Sequence, residues 1–101
     1  MKRMEKGNPM KWLETIELRS AGSNNKSVEL HLRELINNID IQAEKPEIKF
    51  YTSALIDSDF CIHFFHDTEE IEKDGSRLGQ SIVSALKEHG LVNHSIWLIF
   101  K

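Results

Sequence analysis

The stretch that decides the fold covers residues 48–65 and reads IKFYTSALIDSDFCIHFF. Apolar and polar side chains alternate over residues 48–54 and again over residues 60–65, and an alternation of period two predicts β-strands. The segment between these runs, residues 56–59, contains aspartate and serine, which favour a tight turn. The stretch therefore predicts a β-hairpin.

On each side of this hairpin the chain carries one helical run and one strand-like run. Upstream, a period-two run over residues 12–19 is followed by residues 28–39, where apolar residues recur every three or four positions. Downstream, a helical run over residues 78–89 precedes a strand-like run over residues 95–100. The order is β-α-β-β-α-β, which predicts an α+β domain: a four-stranded antiparallel sheet with two helices on one face.

Serine residues mark the expected starts of both helices, because a serine side chain accepts a hydrogen bond from the first helical turn. These expected N-cap residues are Ser27 and Ser76. Gly90 followed by the apolar Leu91 predicts the end of the second helix. Gly79, within that helix, predicts a close approach of the helix to the sheet.

The parity of the residue numbers divides the predicted sheet into two faces, since successive strand residues point to opposite sides. The even-numbered set is apolar and is expected to contact the helices: Ile16, Leu18, Ile48, Phe50, Ala54, Phe60, Ile62, Phe64, Ile96, Leu98 and Phe100. The odd-numbered set is expected to line an open face: Leu13, Thr15, Glu17, Arg19, Lys49, Tyr51, Ser53, Cys61, His63, Phe65, Trp97 and Ile99. Tyr51, Phe65 and Trp97 together would form an exposed aromatic patch, and such patches usually mark a binding surface.

Size and composition restrict the class of protein. A chain of 101 residues with 40% hydrophobic residues is typical of one globular domain. We assign that domain to residues 11–101 and expect residues 1–10 to form a flexible N-terminal leader, with Met10 as a second candidate for the start of translation. The leader has no apolar core of the kind found in secretory signals. The single cysteine, Cys61, suits a reducing compartment, so we expect a cytoplasmic protein.

The charge and the hydropathy pattern argue against two classes of partner. A net charge of −3 lacks the positive surface that neutralises phosphates, so we expect no nucleic-acid partner. The chain has no uninterrupted apolar run of the roughly 20 residues that a membrane-spanning helix needs, so we expect no membrane partner.

Several potential metal ligands cluster near the third predicted strand, where the sequence reads Cys61-x-His63-x-x-His66, with His94 as a possible neighbour. On a regular strand, Cys61 and His63 share a face while His66 points away, and the chain has no Cys-x-x-Cys pair. We therefore expect no metal site and no cofactor, with His66 as a surface residue at the strand end. Cys61 is expected to be a packed, inert thiol rather than a nucleophile activated by His63.

The chain from residue 11 to residue 101 resembles a ferredoxin-like domain, on the basis of the β-α-β-β-α-β order described above. Such domains normally have the strand order 4-1-3-2. Among them the chain most resembles the dimeric α+β-barrel proteins, which pair the open sheet faces of two copies and include small monooxygenases. This resemblance is architectural. It implies a homodimer or another homo-oligomer, and it identifies no catalytic residue.

These observations predict a self-associating interaction module, or one that binds a small apolar ligand, with the open face as its site. The expected interface or pocket residues are Tyr51, Cys61, His63, Phe65, Trp97 and Ile99, with Arg19 and Glu17 orienting polar groups. The alternative is a cofactor-independent oxygenase or isomerase with His63 as the general base. A third possibility is a partner protein of different sequence.

Overall fold

The computed structural model describes residues 11–21, 25–40 and 46–99. The expected leader (residues 1–10), residues 22–24, residues 41–45, Phe100 and Lys101 lie outside the described residues. The elements follow the predicted chain order: β1 Trp12–Ser20, α1 Asn25–Asp40, β2 Glu47–Thr52, β3 Asp59–His66, α2 Arg77–Leu86, a 3₁₀ helix Lys87–His89 and β4 Gly90–Leu98.

The four strands form one antiparallel sheet in the order β2-β3-β1-β4. β1 is a central strand and pairs with β3 on one side and with β4 on the other. The predicted hairpin connects β2 to β3, and its turn is stabilised by the hydroxyl of Ser53, which accepts hydrogen bonds from the backbone N–H groups of Leu55 and Ile56. The predicted α+β class, with a four-stranded antiparallel sheet and two helices, is confirmed.

The hydrophobic core lies between the even-numbered face of the sheet and the two helices. Val28 and Leu32 of α1 and Ile82 and Leu86 of α2 belong to the same buried cluster as the even-numbered strand residues. The strand residues of this cluster are Ile16, Leu18, Phe60, Ile62 and Phe64. The division of the sheet into a helix-covered face and an open face therefore follows the parity of the sequence.

Two described residues of the expected helix-contacting set are exposed instead of covered. β2 ends at Thr52, so Ala54 belongs to the turn and is exposed. Leu98 is the last residue of β4 and is 62% exposed, since β4 is an edge strand and its end is left largely uncovered. The alternation of apolar residues predicted the side of the sheet to which each residue points. Whether a residue is covered also depends on where its strand ends.

The ends of the helices confirm one expected cap and correct the other. Ser76 is the N-cap residue of α2, and its hydroxyl accepts a hydrogen bond from the N–H of Gly79 at 2.9 Å. Ser27 is not an N-cap, because α1 begins at Asn25 and Ser27 lies in its first turn. α2 ends at Leu86, and β4 begins at Gly90 rather than at residue 95 because backbone pairing with β1 extends beyond the apolar run. Neither described helix has the length and apolar character needed to cross a bilayer.

Candidate functional site

The predicted site residues of the open face come from all four strands, and the pairing register determines which of them are neighbours. Tyr51 of β2 lies opposite Cys61 of β3, and Leu13 of β1 lies between Phe65 of β3 and Trp97 of β4. Among the aromatic residues of this set, exposure is greatest at Trp97, of which 57% is accessible, and at Tyr51, of which 42% is accessible. The open face therefore presents large aromatic side chains to the surroundings.

Apolar side chains gather at the end of the open face formed by the start of β1. Phe65 and Trp97 flank the half-buried Leu13 in one row across the sheet. The indole N–H of Trp97 donates a hydrogen bond to the hydroxyl of Thr15 at 3.3 Å. Ile99, just beyond β4, is 43% exposed and extends this apolar end.

His63 occupies the middle of the open face. Its ring makes edge contacts with Tyr51 and Phe65, with ring centroids 4.8 Å and 5.9 Å away. Its nitrogens have no hydrogen-bonding partner in the described part of the chain. A histidine that acts as a general base is usually oriented by a hydrogen bond to its second nitrogen, and His63 does not have this support here.

A groove of about 560 Å³ occupies the other end of the open face. Its lining residues come from all four strands and from Ser53, just after β2: Glu17, Leu18, Arg19, Tyr51, Thr52, Ser53, Asp59, Phe60, Cys61, Leu91, Val92 and Asn93. Arg19 donates two hydrogen bonds to the carboxylate of Asp59, each 3.1 Å long. The groove therefore includes Tyr51, Cys61, Glu17 and Arg19 of the predicted set, whereas the other predicted residues lie outside its lining.

Cys61 is half-buried in this groove. Burial, with a smaller contribution from the carboxylate of Glu17, raises the pKa of the Cys61 thiol to about 11. A thiol with such a pKa is protonated at neutral pH, and the protonated form is a poor nucleophile. This supports the expectation of an inert Cys61.

A second cluster of functional groups lies on the helix-covered face, around the fully buried carboxylate of Glu14. One carboxylate oxygen, Oε1, accepts hydrogen bonds from His66 Nε2 and from the Ser76 hydroxyl, both at 2.8 Å. The other oxygen, Oε2, accepts hydrogen bonds from the Ser76 backbone N–H at 3.1 Å and from His94 Nε2 at 2.7 Å. We refer to Glu14, His66, Ser76 and His94 as the Glu14 cluster.

The sheet and α2 position this cluster together. Glu14 of β1 lies opposite Phe64 of β3 and Ile96 of β4, so His66 and His94 are its diagonal neighbours on the two adjacent strands. Ser76 caps α2, whose N-terminal end has a partial positive charge that favours a carboxylate. The central strand thus presents its carboxylate to groups from three other elements.

The protonation of Glu14 reflects two opposing effects. Burial by itself raises the pKa of the carboxyl group, but the hydrogen bonds from His66, Ser76 and His94 more than offset it. The net result is a pKa below the usual value of 4.5. Glu14 is therefore ionised at neutral pH, and this buried negative charge is stabilised by its hydrogen-bond donors.

Two glycines allow the backbone to approach this cluster. A Cβ atom at Gly79 would overlap the Glu14 carboxylate, so the close approach predicted for Gly79 is directed at a charged side chain. Gly75, before the helix, has φ = +96°, and a Cβ atom there would overlap the ring of His94. Glycine at both positions leaves room for the carboxylate and the imidazole.

The expectation that His66 is a surface residue was wrong. β3 continues through His66, so alternation places the ring on the covered face, where 7% of the residue is exposed. The ring stacks on Trp12, with centroids 3.9 Å apart, and the Trp12 indole N–H donates to the Thr68 hydroxyl at 3.0 Å. Because Cys61 and His63 occupy the opposite face, the Cys61/His63/His66 set is not brought together.

The Glu14 cluster was not anticipated, although the sequence contains a signal for it. Glu14, His66 and His94 all have even numbers and therefore belong to the side of the sheet that faces the helices. A charged residue within an otherwise apolar stripe predicts a buried charge with dedicated partners, since an unpaired buried charge is too costly. The parity rule places all three on one face once β3 is extended by one residue to His66 and β4 by one residue to His94.

Comparisons with known proteins give no family for this chain. No protein-family model, no curated protein and no solved structure matches it. The sheet has a covered face, where the buried Glu14 carboxylate is surrounded by hydrogen-bond donors, and an open face, whose aromatic side chains are accessible.

Proposed function

We propose that this chain is a ferredoxin-like cytoplasmic domain whose function is self-association through the open face of its sheet. The chain order β-α-β-β-α-β and the strand order β2-β3-β1-β4 support the ferredoxin-like part of the proposal. The observation that carries the functional part is the exposure of Tyr51 and Trp97 on one side of the sheet, with the exposed Ile99 just beyond β4. Exposed apolar side chains on one face of a sheet are typical of an interaction surface.

The area of the open face is compatible with a second copy as the occupant. The strands contain six to nine residues, and standard strand spacing and rise then give the sheet face a projected area of about 500 Å². Side chains that project from the sheet increase the accessible area above this value. A standard interface buries about 800 Å² per partner, so two such faces are of the required order of size.

The charges of the open face also favour a second copy. Arg19 is paired with Asp59, and Lys49 lies 3.7 Å from the carboxylate of Glu47. These pairs leave the face nearly neutral, although the whole chain has a net charge of −3. A twofold interface brings each patch against its own copy, so a nearly neutral patch avoids the repulsion between like charges.

Within this proposal the groove holds a small apolar or aromatic ligand. Its volume of about 560 Å³ lies within the range typical of ligand sites. Tyr51 supplies an aromatic wall, and Arg19 and Glu17 supply charged groups that orient a polar substituent. Pairing of two open faces would enclose the groove between the two copies.

The alternative function, an oxygenase or isomerase with His63 as general base, has less support. His63 lies outside the lining of the groove and makes ring contacts rather than hydrogen bonds within the described residues. A catalytic base needs access to a bound substrate and an orienting partner. The binding function therefore fits the geometry of the open face better.

Light scattering on the purified full-length chain at micromolar concentration tests self-association. We expect the mass of a dimer, and we expect the Trp97→Glu variant to have the mass of a monomer, because it places two charges at the apolar end of the paired faces. Phe65→Glu should have the same effect. Circular dichroism of each variant establishes that the monomer is folded.

The matched control is Leu55→Glu. Leu55 lies in the turn between β2 and β3 and is 91% exposed, so the same type of substitution there should leave the dimer intact. A wild-type chain that is monomeric at micromolar concentration, or a dimer that is unchanged by both Trp97→Glu and Phe65→Glu, would contradict the proposal.

A further inference from the structure

A third cluster of ionisable side chains lies away from the open face, where α1 approaches the turn that follows α2. It consists of His31 in α1 and Glu88 and His89 in the 3₁₀ helix Lys87–His89. His31 Nδ1 and His89 Nε2 are 2.8 Å apart, and His89 Nε2 is 3.7 Å from Glu88 Oε2. One ligand atom from each residue lies within 4.8 Å of the other two. We refer to these residues as the His31–His89 cluster.

We propose that the His31–His89 cluster binds a divalent transition-metal ion, for which Zn²⁺ is the appropriate probe. Imidazole nitrogen and carboxylate oxygen are both ligands of zinc, and two histidines with one glutamate form an established type of ligand set. Three protein ligands leave a fourth tetrahedral position for water or for an external ligand. The site lies outside the proposed open-face interface.

The distances require only a small rearrangement to accommodate the ion. Two nitrogens bound to one tetrahedral zinc at about 2.0–2.1 Å are about 3.3 Å apart. The two ring nitrogens, now 2.8 Å apart, would therefore separate by about half an ångström. The Glu88 side chain is 71% exposed and is free to rotate toward them, whereas the His89 side chain is 22% exposed and gives the site partial shelter from water.

The backbone holds these ligands in a place that favours a cation. The carbonyl of His89 accepts a hydrogen bond of 2.9 Å from the N–H of Ala21, which ties the 3₁₀ helix to the end of β1. Glu88 and His89 lie two and three residues after Leu86, the C-terminal residue of α2. That end of a helix has a partial negative charge, which adds to the charge of the Glu88 carboxylate in attracting a metal ion.

A direct hydrogen bond between two neutral imidazoles is the competing explanation of the short distance between the histidine rings. It requires one ring to donate and the other to accept, and it gives Glu88 no part. Metal binding involves all three residues. The two explanations therefore differ in the expected effect of replacing Glu88.

Isothermal titration of the untagged, metal-free full-length chain with ZnCl₂ tests the proposal. We expect one Zn²⁺ per chain and at least about tenfold weaker binding in His31→Ala and in His89→Ala, since each variant removes a ligand. Glu88→Ala should also weaken binding, and its exposed side chain makes it the variant least expected to disturb folding. Circular dichroism of each variant checks the fold.

The matched control is His63→Ala, which removes a half-buried histidine from the open face and should leave zinc affinity unchanged. Binding that is lost in His63→Ala would place the ion beside Cys61 and overturn the proposal. Absence of one-to-one binding, or binding unaffected by replacement of all three cluster residues, would also overturn it and would leave the hydrogen bond between the rings as the explanation.

Discussion

Glu14 and Glu17 lie three residues apart on β1, but their side chains are on opposite faces of the sheet and differ in burial and in hydrogen bonding. Glu14 is fully buried and accepts four hydrogen bonds. Glu17 is exposed, and its carboxylate accepts one long hydrogen bond, 3.4 Å, from Asn93. The difference shows that the covered face tolerates a charge only by satisfying it completely, whereas water can solvate a charge on the open face.

The two tryptophans of the chain show the same difference between the faces for apolar side chains. Trp12 is completely buried, stacks on His66 and donates a hydrogen bond to Thr68. Trp97 is 57% exposed and donates to Thr15 across the open face. One tryptophan therefore contributes to the stability of the domain, and the other is available for binding.

Replacement of each tryptophan by alanine should separate these roles most clearly. Trp12→Ala is expected to lower the free energy of unfolding by about 3–5 kcal/mol, because it leaves a large cavity and removes the stack on His66. Trp97→Ala should lower it by less than about 1 kcal/mol at concentrations too low for self-association. Urea denaturation followed by circular dichroism measures both values. Equal losses would show that the two faces do not differ in this way.

Replacement of each glutamate tests the polar side of the comparison. Glu14→Ala should lower the free energy of unfolding by about 3 kcal/mol or more, because His66, His94 and the Ser76 backbone N–H lose their buried acceptor. Glu17→Ala, on the same strand, should change it by less than about 0.5 kcal/mol. Urea denaturation is again the measurement, and a small effect of Glu14→Ala would mean that water replaces the carboxylate.

Gly79→Ala tests whether the approach of α2 to Glu14 matters. Alanine favours a helix over glycine by about 1 kcal/mol, but its Cβ atom would overlap the carboxylate. We therefore expect a net loss of about 1–3 kcal/mol. Ser81→Ala, at an exposed position of α2, is the control and should be neutral or slightly stabilising. A stabilised Gly79→Ala variant would show that the cluster can move without loss.

Acidification should remove the stability that the ionised Glu14 contributes to the covered face. The pKa of Glu14 in the folded chain is below its usual value of 4.5, so the unfolded chain takes up a proton first as the pH falls. The stability contributed by ionised Glu14 is thus complete above about pH 4.5 and decreases as the pH falls through the folded pKa. Urea denaturation at several pH values should show a shallower acid dependence for Glu14→Ala than for Glu17→Ala. Identical profiles would contradict this assignment.

The sequence predicted most of the fold because the relevant signals are local. Alternation separated Ile62 and Phe64, which are in the core, from Tyr51 and Trp97, which are exposed. The boundaries were less accurate: pairing with β1 extends β4 back to Gly90. Pairing uses backbone groups, which every residue other than proline provides in full, so side-chain patterns mark its limits only approximately.

The candidate sites were predicted unevenly for the same reason. The residues of the open face could be named because each follows from its own position on a strand. The Glu14 cluster joins residues separated by 52, 62 and 80 positions, and the two imidazoles of the His31–His89 cluster are 58 positions apart. No local pattern links side chains over such separations.

The sequence by itself determined the order of the elements and the side of the sheet to which each strand residue points, since both follow from the period of the apolar residues. Only the tertiary structure decided which polar groups meet: that Glu14 receives hydrogen bonds from two strands and a helix end, and that His31 lies beside His89. The physical reason is that hydrophobic burial depends on position along one element, whereas a hydrogen bond requires two specific atoms to lie about 3 Å apart.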